Sequence, residues 1–340
     1  MILGATGAIG RAVATELADA GWEVLGTGRD PARFPESLRE RGVRFEAADR
    51  HDPAALRAVL ADGADLVVDC LCYSAQHARA LLEHRRGIGS AVMISSKAVY
   101  IDAEGRHSNS DSPPRFSGPV SERQPVLEPD FSGDYRSRAG YGPNKVAAEF
   151  TLLEADLPVT ILRPSLVHGA GSRQPREWFV VKRLLDGRDR IALSHHGRSA
   201  NHPTAAWNLA RAVAACARRP GKRVLNVADP GEPTAADVVS AIAAACGRPL
   251  ELVGLDEHAP PELGWTPWHC WPPFLLDTTA AAELGYSPAG GYAELVPSAV
   301  DHLLSLTDQQ RIALGLADSI DYGMDDAALR YGDRAAGGNS

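Results

Sequence analysis

The feature that most constrains this chain stands at its start. Gly4-Ala-Thr-Gly7-Ala-Ile-Gly10 places three glycines at three-residue spacing between a short apolar run and a helix-period segment. Lacking Cβ, glycine lets the backbone turn tightly, come close to a ligand, and bring a helix down onto a strand. The helix that follows, with Ile9, Val13 and Leu17 on one stripe, directs its unpaired N–H groups and positive dipole end back at the loop. Such a junction suits a pyrophosphate. Gly4, Thr6, Gly7, Ala8, Ile9 and Gly10 are therefore the expected phosphate cradle of a dinucleotide. Only Met1, Ile2 and Leu3 precede the loop, against about five or six residues in an ordinary strand. The first strand is either short here or begins upstream.

Apolar runs continue at Glu23–Thr27, Arg44–Ala47, Leu66–Cys70, Ala91–Ser95 and Val159–Leu162, separated by amphipathic segments such as Ile9–Ala20. Strands alternating with helices, with the strands themselves apolar, imply an α/β fold: a doubly wound parallel sheet covered on both faces. The expected organisation is a dinucleotide-binding domain over residues 1–165, joined again by a strand and helix near 200–228. Residues 166–310 form mainly a smaller C-terminal substrate-binding lobe. Residues 101–138, rich in Ser, Pro, Asp, Gly and Arg, read as a long loop that lids the substrate pocket. The polar, acidic stretch 318–340, ending in AAGGNS, reads as a flexible tail.

Composition narrows the partners. A net charge of −8, with no block of Lys and Arg, argues against nucleic acid. No apolar run approaches the roughly 18 residues that span a bilayer, and no leader precedes the glycine loop, so the expectation is a cytoplasmic protein without membrane contact. The five cysteines are odd in number and form no CxxC pair, which leaves no disulfide or zinc framework. His168, His195, His196, His202 and His269 likewise fit no compact zinc spacing, and no metal is expected.

The end of the second apolar run reads Gly26-Thr27-Gly28-Arg29-Asp30. An NAD-selective site carries an acid there for the ribose 2′-hydroxyl. Here glycine occupies that place and arginine follows. A guanidinium can pair with a 2′-phosphate, so Arg29, with Arg33 as helper, favours NADP(H) over NAD(H), which stays open. The alternative is a solvated surface arginine. Asp49, after the third run, could accept the adenine amino group or be an ordinary loop aspartate.

Tyr141-Gly-Pro-Asn-Lys145 opens a helix-period segment in which residues four apart share a face. A free phenol titrates near pH 10; an adjacent ammonium and a cationic nicotinamide favour its anion. Tyr141 can then take or return the proton of a substrate hydroxyl, with Lys145 also holding the nicotinamide ribose. Ser96 ends the run Ala91–Ser95, where open α/β sheets place ligands, and can donate to an oxygen gaining charge. Ser95 reads as the structural neighbour.

Together VMISSKAVY, YGPNK and LRPSLVHGAG resemble the extended short-chain dehydrogenase/reductase family, which includes the NAD-dependent epimerase/dehydratase group; LDTTAAAELGYSP resembles the family's late segment. The likeness runs from Met1 to about Leu306 and implies a Rossmann-type fold and hydride chemistry at Ser96, Tyr141 and Lys145. In sugar-nucleotide members an arginine four residues before a histidine contacts the diphosphate, and Arg198-Ser-Ala-Asn-His202 has that spacing. The resemblance thus assigns Arg198, His202 and His168 to the substrate, and implies a homodimer. A 4,6-dehydratase would carry Thr-Asp-Glu where this chain has Ser96-Lys97-Ala98, so dehydration is not expected. The leading expectation is an NADP(H)-preferring oxidoreductase acting on a carbonyl or secondary alcohol of a small molecule such as a nucleotide sugar or related polyol. An NAD(P)-dependent nucleotide-sugar epimerase is the alternative within the enzyme class, and a non-catalytic dinucleotide sensor the alternative outside it.

Overall fold

A computed structural model describes residues 1–316 and 320–337. The chain divides into two compact units. The first comprises Met1–Val167, Thr204–Ala228 and Leu276–Ala289; the second comprises His168–Pro203, Asp229–Leu275 and Gly290–Ser340.

The first unit is built on a seven-stranded sheet. Its strands are β1 (Ile2–Leu3), β2 (Leu25–Gly28), β3 (Arg44–Ala47), β4 (Ala64–Asp69), β5 (Ile88–Ile94), β6 (Val159–Pro164) and a last strand, Arg223–Val227. In space the order is Arg223–Val227, β6, β5, β4, β1, β2, β3, all parallel. This is the Rossmann-type arrangement, with the order reversing at β1.

Burial on both faces explains why the central strands β4, β5 and β6 are largely apolar. Val68, Val92, Ile94 and Leu162 enter a core with Val13 and Leu17 of helix α1 (Ala8–Asp19) and Leu209 and Val213 of the helix Ala206–Arg218. Their neighbours Val67, Ala91, Met93 and Ile161 face the other way. They join Leu56 of α3 (Pro53–Val59), Leu81 of α4 (Ala75–Leu82) and Leu152 of α5 (Tyr141–Glu154). A short helix α2 (Glu36–Glu40) lies between β2 and β3.

Between Tyr100 and Tyr141 there is no regular helix or strand, but this loop is tied down. Tyr100 bridges Val126, and Val120 bridges Leu276. Glu122 accepts the Asn226 N–H at 2.7 Å, and Asn144 of α5 receives the Gly133 N–H while donating to Asp130.

The second unit contains a parallel pair, Arg190–Leu193 with Glu251–Gly254, and the helices Trp178–Leu185, Ala235–Ala245 and Pro297–Ser305. The flexible tail expected at 318–340 is corrected here. Residues 318, 319 and 338–340 lie outside the described residues, but Gly323–Gly337 is a helix. Non-local ion pairs hold it: Asp325 takes both Nε and Nη2 of Arg183 (2.7 and 3.1 Å), Asp326 pairs with Arg188, and Asp333 pairs with Arg190 at 2.7 Å. Among the described residues no helix is long and apolar enough to cross a membrane.

One ion pair in the first unit is almost fully buried. Arg50, just past β3, donates to Asp69 at the end of β4 through Nε (3.0 Å) and Nη2 (2.6 Å), with both side chains 1% exposed. Asp69 also receives the Leu71 N–H, and Arg50 donates to the His77 carbonyl. Removing one partner of such a pair strands the other charge in low dielectric. Asp69→Ala is expected to lower unfolding free energy by about 3–5 kcal/mol, measured by chemical denaturation; a change under about 1 kcal/mol would show the pair to be dispensable.

Candidate active site

The glycine loop follows β1 directly. Gly4 has φ +97°, a left-handed conformation that favours glycine. A Cβ on Gly10 would fall 2.3 Å from the Gly4 carbonyl oxygen, so only glycine lets α1 pack this closely on the loop. Gly7 differs. An added Cβ would meet nothing nearer than the Gly4 oxygen at 3.7 Å, and its φ of −87° suits any residue. Packing therefore does not demand glycine at position 7, whereas close approach of a phosphate would. No side chain caps α1 and its first turn holds no acid, which leaves the N–H groups of Ala8, Ile9 and Gly10 and the dipole for an anion. The loop thus fits a dinucleotide pyrophosphate.

Arg29 is exposed at the end of β2 and, among the described residues, forms no ion pair. The neighbouring Arg11 does not supplement it: Nε donates to the Thr6 carbonyl and Nη2 to that of Arg33. Asp49 accepts the His51 N–H at 3.0 Å, closing a turn within its own loop.

Lys145 lies on the second turn of α5, 2% exposed. Its Nζ donates to the carbonyls of Cys72 (2.7 Å) and Ile94 (2.8 Å), just beyond β4 and at the end of β5. Tyr141 begins the same helix, one turn earlier and half-buried. Ser96 follows β5 and accepts the Ala98 N–H through Oγ at 3.1 Å, leaving its own hydrogen for another acceptor. The Ala98 carbonyl oxygen stands against Gly142, where a Cβ would be 2.7 Å away. The start of α5 is thereby seated on the turn that carries Ser96. Serine, phenol and ammonium are brought to one end of the sheet, the carboxyl end.

Ser95 points elsewhere. Its hydroxyl meets Glu149, whose carboxylate also receives Nε of Arg163 at 3.1 Å, in a buried group beneath α5. The Arg163 guanidinium lies 4.9 Å from the centre of the Tyr100 ring.

A cluster that sequence reasoning missed adjoins the site. Tyr73 follows the loop after β4; its ring lies 4.4 Å from the Lys145 Nζ and 6.5 Å from the Tyr141 ring. Tyr135, from the long loop, stacks on Tyr73 at 5.3 Å and 10°. His77 receives the Tyr73 N–H through Nδ1 (3.1 Å) and meets His51 Nδ1 through Nε2 (2.9 Å). Because Nδ1 of His77 accepts, its hydrogen sits on Nε2 and His51 is the acceptor of that contact. Burial, then the Arg50 charge and His51, push His77 down to about 4. Their separation along the chain left no sequence signal of the cluster.

The residues assigned to substrate by resemblance lie in the second unit. Arg198 is exposed, donates to the His195 carbonyl at 3.2 Å and approaches Glu257 at 3.6 Å. His168 and His202 are buried and meet on one residue: His168 Nε2 contacts the Asp229 carboxylate at 2.7 Å, and His202 Nε2 the Asp229 carbonyl at 2.8 Å. Nearby Trp271 stacks on His195, Trp268 is buried edge-on to Phe179, and Trp265 is exposed.

A family model described as "NAD dependent epimerase/dehydratase family" matches residues 1–228. The chain belongs to that family. It is an NAD(P)-dependent oxidoreductase/epimerase of the extended short-chain dehydrogenase/reductase type. Among curated protein sequences, none matches this chain. Solved structures show the fold. A UDP-glucuronic acid 4-epimerase from Bacillus cereus, in complex with UDP-glucuronic acid and NAD, is 18% identical with TM-score 0.64, over 90% of this chain and 99% of that one. A Thermus thermophilus UDP-glucose 4-epimerase complexed with NAD is 18% identical with TM-score 0.63, over 90% and 99%. A dTDP-glucose 4,6-dehydratase from Bacillus anthracis, in complex with NAD, is 14% identical with TM-score 0.65, over 92% and 98%.

These comparisons overturn the expected NADP(H) preference, because the structural neighbours carry NAD. The physical reason agrees. A 2′-phosphate is held best by convergent guanidinium groups, whereas the exposed Arg29 gets no help from Arg11, which is engaged by backbone carbonyls. The NADP(H)-preferring oxidoreductase, which rested on Arg29, falls with it.

Two predictions follow from the geometry. Gly7→Ala should fold with wild-type stability yet bind NADH at least about tenfold more weakly, a modest value for one blocked phosphate contact. Gly10→Ala should lose both stability and binding. Calorimetric binding and melting curves separate the two, and equal behaviour would refute the assignment of Gly7 to a ligand. For His77 the folded value lies below the unfolded one near 6.5. The neutral ring stabilises the fold above about pH 6.5, and that contribution is lost as pH falls towards 4. His77→Asn, which can accept the same N–H, should flatten this acid-side loss in melting temperature.

Proposed function

We propose that this protein is an NAD-dependent nucleotide-sugar epimerase. The observation that carries the reading is the turn after β5, Ser96-Lys97-Ala98. It supplies a hydroxyl beside the start of α5, and no acid pair with which to eliminate water. Epimerisation, unlike dehydration, needs only reversible oxidation at one carbon and return of hydrogen to the opposite face. NAD, when bound, is the two-electron acceptor and then the donor.

The chain's own residues handle the proton and the position. Tyr141 Oη takes the proton of the sugar hydroxyl as that carbon is oxidised, and returns it when the carbonyl is reduced. Ser96 donates its hydroxyl hydrogen to the oxygen as charge builds on it. Lys145, fixed by two carbonyls, keeps a positive charge one helical turn from the phenol and orients the nicotinamide ribose. Gly4, Thr6, Gly7, Ala8, Ile9 and Gly10 hold the pyrophosphate, and Asp49 is offered to the adenine. Arg198 is offered to the diphosphate of the substrate, with His168 and His202 shaping that side. A structural neighbour in complex with UDP-glucuronic acid and another that is a UDP-glucose 4-epimerase, each matched over 99% of its length, support a nucleotide sugar.

The test is incubation with NAD and either UDP-glucose or UDP-glucuronic acid, with the products separated as epimers. Interconversion without accumulation of NADH is expected, and Tyr141→Phe should slow it by about 10²–10⁴-fold. Stoichiometric NADH, loss of water from the sugar, or full activity of Tyr141→Phe would each overturn the reading.

A further inference from the structure

Lys145 is held in an unusual way. An ammonium has three hydrogens. Two go to the carbonyls of Cys72 and Ile94, and neither partner carries a formal charge. The third direction meets the ring of Tyr73, with Nζ 4.4 Å from its centre. The Arg50 guanidinium, by contrast, is neutralised outright by Asp69 at the end of β4. The same end of the sheet therefore holds one cation discharged by a carboxylate and one steadied by a π-face.

That difference has a chemical consequence. An aromatic quadrupole attracts a desolvated ammonium strongly enough to fix its position but too weakly to cancel its charge. It can also give way to a hydroxyl, which a carboxylate would resist. The ring of Tyr73 is itself held on several sides. His77 takes its backbone N–H at 3.1 Å. Tyr135 stacks on it nearly parallel at 5.3 Å, and the Arg136 guanidinium lies 5.5 Å from the Tyr135 ring. Tyr135 belongs to the loop between Tyr100 and Tyr141, and Asn144, next to Lys145 on α5, binds that loop through Asp130 and Gly133. Tyr73 is only half-buried, so core packing alone is a poor account of so constrained a ring.

We propose that Tyr73, braced by Tyr135, is a positioning residue for Lys145, holding its ammonium in place for the nicotinamide ribose while leaving its charge intact. The role rests on the NAD-dependent reading above and adds to it a link between the long loop and the catalytic lysine. The working part is the ring, because its π-face meets the ammonium.

The experiment is a double-mutant cycle on NADH affinity, followed by protein fluorescence, with melting temperature as the control for folding. Tyr73→Phe is expected to bind NADH within about twofold of wild type. Tyr73→Leu should bind about tenfold more weakly, the equivalent of one desolvated cation–π contact. In a Lys145→Met background, Tyr73→Leu should add less than about twofold, since its effect passes through the missing ammonium. Tyr135→Ala on the loop should give a smaller loss, restored by Tyr135→Phe, and it carries the test should Lys145→Met fail to fold. Equal losses from Tyr73→Leu in both backgrounds would show generic packing and overturn the proposal, as would Tyr73→Phe behaving like Tyr73→Leu, or Tyr135→Ala binding like wild type. A wild-type protein that binds no NADH would instead defeat the proposed function itself. Binding with an additive cycle defeats only the role of Tyr73.

Discussion

The anchoring of α5 by Lys145 is the constraint from which the rest of the site follows. A buried ammonium must find acceptors, and the Cys72 and Ile94 carbonyls supply them where β4 and β5 run out. Those two hydrogen bonds pin the helix at one depth and one rotation against the sheet. Tyr141, one turn back, then has no choice but to emerge at the carboxyl end, beside the turn bearing Ser96. The geometry of the proposed site thus follows from satisfying a single buried charge. Below it, Glu149 joins Ser95 to Arg163 and fixes the far face of the same helix.

What was legible in the residues was whatever depends on local backbone chemistry. Two of the three glycines declare themselves because their requirements are steric, a left-handed φ at Gly4 and contact at Gly10, whereas packing makes no such demand of Gly7. The strands are legible because period-2 burial on two faces demands unbroken apolar runs, as Leu66–Val68 and Ala91–Ile94 show. Tyr141 and Lys145 are legible because one helical turn separates them.

Interactions between distant segments were not legible. Tyr73, His77, His51 and Tyr135 come from three separate loops and a helix, and nothing in their spacing declares that they meet. The helix Gly323–Gly337 looked like a tail because its stability comes from aspartates paired with Arg183, Arg188 and Arg190, well over a hundred residues earlier. Arg29 misled for a related reason. A guanidinium beside a missing acid suggests a phosphate partner most strongly where other cations converge with it, and convergence is a tertiary property.

The second unit shows how the same residue type divides between scaffold and surface. His168 and His202 come from segments far apart in the chain, yet both are buried on Asp229, one at its carboxylate and one at its carbonyl. A carbonyl can only accept, so His202 Nε2 must be the donor, and burial holds this ring below its ordinary titration range. Two rings anchored on one aspartate fix three stretches of chain together without exposing a charge. Arg198, four residues before His202, is under no such obligation: its guanidinium is exposed, leaning on the His195 carbonyl and a distant Glu257. The spacing Arg198-Ser-Ala-Asn-His202 therefore joins a buried fulcrum to an exposed cation.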